Sequence, residues 1–389
     1  MADRYFVSQF DGYSNSTAIL LTYFGNATLK SLDYSGKVEL GFACFGILVN
    51  LFHIFILTRK SMRTGSINML LLAIGIGDLL NMSVYSFNEV LEMIQDPDCY
   101  WPSSYWLEFF NTAKRCVYDV FRRLNVWLAV LMALVRFLVI RNAMNATFQK
   151  LSETFFGLIS ILISLMLSSG VSSIYFYHVS IKKGDWFPAE KCLSQLQIPA
   201  NVSLTRYYPS IDNKFLESRG FGIRTFVLID GGFKMFLSIA LPVFTFLLIM
   251  QLQIAKRNRR KLSAKDEKLK PDHTTKMITL MTAASVIAEG PFGIMWAVEG
   301  VADQGGGVYW LSTDLNAFWA VFVAVNSSTH CFISLVMSTQ YKKAVEDSFS
   351  FLMLDKRRKS VVSVAPRSSV GAGSMASAAE VRARRRSEY

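Results

Sequence analysis

Charge is scarce in this sequence. Of its 389 residues only 18% are Asp, Glu, Lys or Arg, against about 25% in an ordinary soluble domain. Most of those charges lie between apolar blocks or in the tail, which argues against a large water-soluble helical protein. Machinery for catalysis is missing too. There is no glycine-rich phosphate loop, since Gly305-Gly306-Gly307 reads as a turn, and no nucleophile elbow. The 4 histidines show no metal-ligand spacing, and no paired catalytic residues share one depth of a span. No enzymatic activity, cofactor or metal is expected. The first 35 residues lack a basic-then-apolar start, so the first apolar block is expected to be its own signal anchor. The two halves show no duplication of the kind transporters usually carry.

What the sequence has is hydrocarbon: 52% of its residues are hydrophobic and 13% aromatic. A bilayer core about 30 Å thick needs roughly 20 helical residues to cross it. Seven blocks of that length occur, at about 38–58, 66–88, 114–140, 154–177, 226–252, 275–299 and 314–337. Each reads as apolar all round. The expected fold is therefore an all-α membrane protein, a bundle of seven transmembrane helices. Basic residues follow the first span (Arg59, Lys60, Arg63), the third (Arg141, Lys150), the fifth (KRNRRKLSAKDEKLK from Lys256) and the seventh (Lys342, Lys343, then KRRK from Lys356). Positive loops stay cytoplasmic, which places the N-terminus outside and the C-terminus inside. The sequons at Asn15, Asn26 and Asn201 then fall outside, where glycosylation is possible. Those at Asn81, Asn145 and Asn326 fall in membrane or cytosol. The +12 formal charge lies on one side of the membrane, so attraction to anionic lipid accounts for it and nucleic acid is not an expected partner.

Polar residues inside the spans are the candidates for function, because ionisable groups at such depth normally face the interior. Asp78 in LLLAIGIGDLLNMSV is too central to snorkel. With Asn125 and Asn326 it could form a small hydrated cation site, or the three could simply make interhelical hydrogen bonds. Asn50 and His330 add to this set, and Pro242 and Pro291 each remove a backbone hydrogen bond, so kinks that could pivot are expected. Arg136, near the inner end of the third span, either snorkels to headgroups or faces the cytoplasmic mouth, where a partner could meet it. Asp119, Arg122, Arg123, Asp230, Lys234, Glu289 and Trp296 make up the candidate ligand-contacting set. Glu289 sits two residues before Pro291 and needs a proton or a partner, with Arg122 and Arg123 as the candidates.

Several of these residues carry a resemblance. Asn50 in FGILVNLFHIFIL, Asp78 in LLLAIGIGD, Trp127 in NVWLAVLMALVRF and Pro242 in SIALPVFTF resemble the helix markers of rhodopsin-like G-protein-coupled receptors. IAEGPFGI (287–294) and NSSTHCFISLVMSTQY (326–341) resemble the Glu-x-Pro-x-Gly-Ile and Ser-Ser-Gln-Tyr-Arg patterns of the nematode serpentine receptor class W group. That group is similar to the myosuppressin, FMRFamide and sex-peptide receptors. The resemblance spans about residues 36–350. It implies a plasma-membrane receptor for an extracellular ligand, coupled to a heterotrimeric G protein. A neuropeptide is the first expectation, an environmental small molecule the alternative, and an ion-coupled transporter or channel the reading from another class. Arg136 resembles the arginine of the family's Asp-Arg-Tyr motif, with Arg141, Lys256 and Arg257 as further G-protein contacts. Val135 and Phe137 replace the motif's acid and tyrosine, so the usual acid lock on that arginine is absent. Ser327 and His330 stand where proline and tyrosine are usual, and Glu289 where tryptophan is. An acid at Glu289 would complement the arginine of an amidated peptide.

The resemblance also implies a disulfide between Cys99 and Cys192, with Cys116 as the competitor for Cys192. The outer loop of about His178–Arg224 would then be a bridged cover over the bundle mouth. Residues 1–35 are expected to be an extracellular segment, 36–340 the receptor domain, 341–354 an amphipathic inner-surface helix with Tyr341, Val345, Phe349 and Leu352 near one face, and 355–389 a disordered basic tail. Phosphorylation at Ser360, Ser363 or Ser368 would reverse local charge, and a receptor kinase and arrestin are the partners it implies.

Overall fold

Within a bilayer every backbone N–H and C=O must find a partner inside the protein, which only helices and closed barrels achieve. This chain takes the helical route. The computed structural model describes residues 4–94, 103–187, 203–217, 222–262, 273–303 and 305–362. The long helices are α1 (Asn15–Leu57), α2 (Ser66–Ile94), α3 (Tyr105–Arg141), α4 (Thr154–Tyr177), α5 (Ile223–Leu262), α6 (His273–Val301), α7 (Gly307–Met337) and α8 (Thr339–Val362). Among the described residues six stretches are long and apolar enough to cross a membrane: Tyr34–Leu57, Ser66–Ile94, Tyr105–Arg141, Thr154–Tyr177, Ile223–Ala255 and Gly307–Val336.

Residues Met1–Ala344 form one compact unit and Val345–Tyr389 a second, which contains the rest of α8. In the first unit α1 packs on α2 and α7, α7 on α6, α6 on α5, and α5 on α3, while α3 also touches α2 and α4. The ring is closed, with α3 as a member that also carries α4.

Small residues let these helices approach, as membrane bundles require. A Cβ on Gly231 of α5 would lie 2.9 Å from the Trp296 carbonyl of α6, and one on Gly300 would lie 2.8 Å from the Leu228 Cα. α4 departs from the expectation of a helix apolar all round. Ser160, Ser164, Ser168 and Ser172 repeat every fourth residue and are all buried, while Phe155, Leu162 and Met166 on its other side are exposed. The serines face the protein and the hydrocarbon faces outward.

One further expectation gains a detail and another changes. α1 starts at Asn15, so most of the N-terminal 35 residues are helical and continuous with the first span. The loop after α4 is not all-α: β1 (Val179–Trp186) pairs antiparallel with β2 (Leu204–Ile211), from Val179↔Ile211 to Trp186↔Leu204. The Tyr207 N–H donates to the Ser103 carbonyl at 3.2 Å, fastening the hairpin to the start of α3. Cys99 and Cys192, like Asn201, Ser363 and Ser368, lie outside the described residues. Cys44, Cys116 and Cys331 are free thiols.

Candidate functional site

Two polar clusters occupy the interior. The first surrounds Asp78 on α2. Gly77 makes room for it, since a Cβ there would lie within 3 Å of the Asn125 amide. Asn125 Nδ2 donates to Asp78 Oδ1 at 2.8 Å, and the Ser327 hydroxyl donates to the same oxygen at 3.0 Å. His330 Nδ1 stands 3.2 Å from Oδ2 without hydrogen-bond alignment. Asn326, the third of the expected trio, lines the same cavity as Asp78 and Asn125 but is hydrogen-bonded elsewhere. Its Nδ2 turns to the Ser285 hydroxyl of α6 at 3.4 Å. Ser327 and His330 take its place because, one and four residues on, they project to the α2 side of α7. Asn50 of α1 closes the floor by donating to the Gly46 and Ser327 carbonyls at 3.0 and 3.3 Å.

A cavity of about 70 Å³ opens over this cluster, lined also by Glu39, Tyr118, Arg122 and Glu289. That is room for a few waters at ~10–15 Å³ each, and Asn125 Oδ1 and Asn326 Oδ1 have no donor among the described residues. Arg122 Nη1 donates to the Tyr118 hydroxyl at 2.7 Å, and its guanidinium lies 3.7 Å from the Phe292 ring centre.

The second cluster, one residue along α3, is saturated. Arg123 sits within 2.8 Å of Asp230 on α5 and 3.0 Å of Asp119. It also donates to the Ser168 carbonyl at 3.0 Å and the Ser172 hydroxyl at 2.9 Å on α4. Lys234 reaches Asp230 Oδ2 at 2.7 Å and lies 3.5 Å from the Trp296 ring centre on α6. Two cations and two anions thus bind four helices. Both arginines considered for Glu289 line a small void with it, but Arg123 is committed to the carboxylates here, and of the two it is Arg122 that also lines the cavity over Asp78 with Glu289. The expected ligand-contacting set therefore splits into a cavity part (Arg122, Glu289) and a network part (Asp119, Arg123, Asp230, Lys234, Trp296).

The proline expectation gains a detail. Pro291 has no N–H to offer the Ile287 carbonyl four residues earlier, and the Trp319 indole of α7 donates to that carbonyl at 3.2 Å. At the end of the bundle where α7 meets α8, Arg136 is half-buried on α3 between buried Val135 and Phe137, and Arg141 and Arg257 are exposed. Pro242 lies inside α5, and Ser360 lies on the backbone of α8.

Some partners escaped the sequence reading. Ser327, Ser285, Ser168 and Ser172 are common residues with no periodic signal of their own. Glu39 was legible, being an acid within the first apolar block. His53 and Tyr341 were not seen as a pair: His53 Nδ1 lies 3.0 Å from the Tyr341 hydroxyl, both fully buried. Burial, reinforced by Cys331, pushes that hydroxyl well above the ordinary phenol range.

The serpentine type 7TM GPCR chemoreceptor Srw family model matches residues 37–352, which spans both polar clusters and the whole bundle. The chain belongs to this family. It is thus a multi-pass membrane receptor of the G-protein-coupled type, and the transporter reading falls away. Comparison with curated proteins finds no match. The Srw family is one of receptors and not of enzymes.

Proposed function

We propose that this Srw receptor sits in the plasma membrane with its N-terminus outside, crosses seven times with α6 as the remaining span, and converts binding of an extracellular chemical into nucleotide exchange on a heterotrimeric G protein. The observation that carries the ligand reading is the cavity holding Arg122 and Glu289. At about 70 Å³ it takes a small polar group and not a folded peptide. A larger hollow of about 630 Å³, lined by Met235, Ile294, Val298, Val301 and Val308 with Asp11 and Asp303, falls in the range of small-molecule sites, about 300–1,000 Å³. The chemosensory reading is therefore preferred. A neuropeptide is the second reading, favoured by Glu39 and Glu289 in one cavity, where the arginine of an amidated peptide could reach them.

Glu289→Gln keeps the shape and removes the charge. Potency is expected to drop at least roughly tenfold for cationic ligands, since one hydrogen bond to a charged group contributes about 1.5–3 kcal/mol, and less for neutral analogues. Equal losses for both, read as ligand-dependent nucleotide exchange, would make Glu289 part of the scaffold. At the opposite end, Arg136→Ala is expected to leave surface level and ligand binding intact while abolishing exchange. Full exchange at equal surface level would reduce Arg136 to a snorkelling side chain.

A further inference from the structure

The segment before α1 folds back onto the bundle. Tyr5 and Phe10 are each 1% exposed and stack with ring centres 6.2 Å apart. The Tyr5 hydroxyl donates to Asp314 Oδ2 on α7 at 2.6 Å, and Arg4 lies 3.7 Å from the other carboxylate oxygen and 4.2 Å from the Trp310 ring centre. The recess is built for these rings. A Cβ on Gly25 of α1 would lie 2.8 Å from the Tyr5 ring, and one on Gly307 of α7 would lie 2.6 Å from the Phe10 ring. Burial and the Asp314 carboxylate push the Tyr5 hydroxyl well above the ordinary phenol range, so it stays a donor at any physiological pH.

From α1 the backbone of this strap is read by the Asn26 side chain. The Tyr5 N–H donates to Asn26 Oδ1 at 3.1 Å, and Asn26 Nδ2 donates to the Tyr5 carbonyl at 3.2 Å. A two-point contact of this kind uses the amide hydrogen on the same side as Oδ1. An N-linked sugar turns the side chain into a secondary amide, and such amides keep the trans arrangement by about 2.5–4 kcal/mol. In that arrangement the sugar carbon lies on the same side as Oδ1 and replaces that very hydrogen. The third sequon residue, Thr28, is also engaged: it is 7% exposed and its hydroxyl donates to the Phe24 carbonyl at 3.0 Å. Asn15 contrasts with it, being exposed at the first turn of α1.

We infer that Asn26 is not a glycosylation site but the receptacle of an N-terminal strap, Arg4–Phe10, which fastens α1 to α7, and that a glycan at Asn26 and a docked strap exclude each other. The strap's continuation, Asp11 and Tyr13, forms one wall of the larger hollow together with α6 and α7. The inference rests on the N-terminus lying outside. Staining of an N-terminal epitope on unpermeabilised cells tests that placement separately, and absence of staining overturns the inference with it.

The decisive experiment takes full-length receptor labelled at the cell surface and releases glycans with an amidase, which converts each occupied Asn to Asp for detection by mass spectrometry. The Asn26 peptide is expected to be unconverted. Thr28→Val destroys the sequon and keeps Asn26, so surface level and slow hydrogen exchange at the Tyr5 amide are expected to match the wild type. Asn26→Asp keeps the acceptor of the Tyr5 N–H but turns a charged oxygen toward the Tyr5 carbonyl in place of the donor, so the strap is expected to undock more often and exchange at Tyr5 to accelerate roughly tenfold, the loss of about one hydrogen bond. Conversion of Asn26 in most surface molecules, or unchanged Tyr5 exchange in Asn26→Asp, overturns the inference.

Discussion

Arg122 and Arg123 are neighbours on α3 yet live in opposite surroundings. Arg123 is 3% exposed and meets two carboxylates, a hydroxyl and a carbonyl, which leaves nothing for a ligand to add. Arg122 faces a cavity with Glu289, where buried polar atoms lack partners. A buried network holds helices in one arrangement when fully satisfied and becomes the weak point of a core when only partly satisfied. The saturated cluster is therefore expected to behave as scaffold and the open one as the element that a ligand biases.

The comparison breaks most visibly at Asp230. Asp230→Ala strands Arg123 and Lys234 in a buried setting, where removal of one partner typically costs about 3–5 kcal/mol. Surface expression and the melting temperature of purified receptor are expected to collapse whether or not ligand is present. Near-normal expression would mean that Asp119 alone satisfies both cations.

Asp78→Asn should separate the clusters. It keeps the size of the side chain and removes the charge facing His330, so stability should fall by only about 1 kcal/mol, one hydrogen bond's worth. Ligand-dependent nucleotide exchange should nevertheless change at least tenfold, because the pair joins α2 to α7 beneath the cavity. A loss of expression as severe as that of Asp230→Ala would erase the distinction between scaffold and switch.

How far the sequence reached follows the same division. Span-length apolar blocks and the basic connections are one-dimensional signals, and they located the helices to within a few residues at α4 and α6. The helical start of α1 was not legible because the stretch Asn15–Asp33 mixes polar and apolar residues, and its helix is supported by the strap, whose Tyr5 and Phe10 pack with Ala18, Leu21 and Leu29 against Leu311 of α7, a contact between distant parts of the chain. At the site, Asp78, Asn125, Arg122 and Glu289 were legible as polar groups in apolar runs. Which of them meet was not, since Asn326, Ser327 and His330 share one helix and only its rotation decides that Ser327 and His330 face Asp78 while Asn326 faces Ser285. The hairpin β1–β2 was hidden for another reason. Its strands are joined through residues 187–203 and show little alternation, so local pattern gave no sign that they pair.

The smallest effect is expected where α7 leads into α8, at a contact belonging to neither cluster. The Tyr341 hydroxyl meets His53 Nδ1 at 3.0 Å and Cys331 Sγ at 3.5 Å, while its ring stacks obliquely on His53 with centres 5.4 Å apart. Tyr341→Phe keeps the ring and deletes the hydroxyl, so it removes one neutral hydrogen bond, about 0.5–1.5 kcal/mol, and leaves His53 Nδ1 buried without that partner. His53→Phe should cost a similar amount by itself. Because one bond is lost only once, the double variant should be less unstable than the sum of the two singles, a non-additivity of the order of 0.5 kcal/mol or more for residues in contact. Melting temperatures of the four purified receptors measure it. Strictly additive losses would show that the hydroxyl contributes nothing through His53, and that the packing of the two rings alone anchors the start of α8.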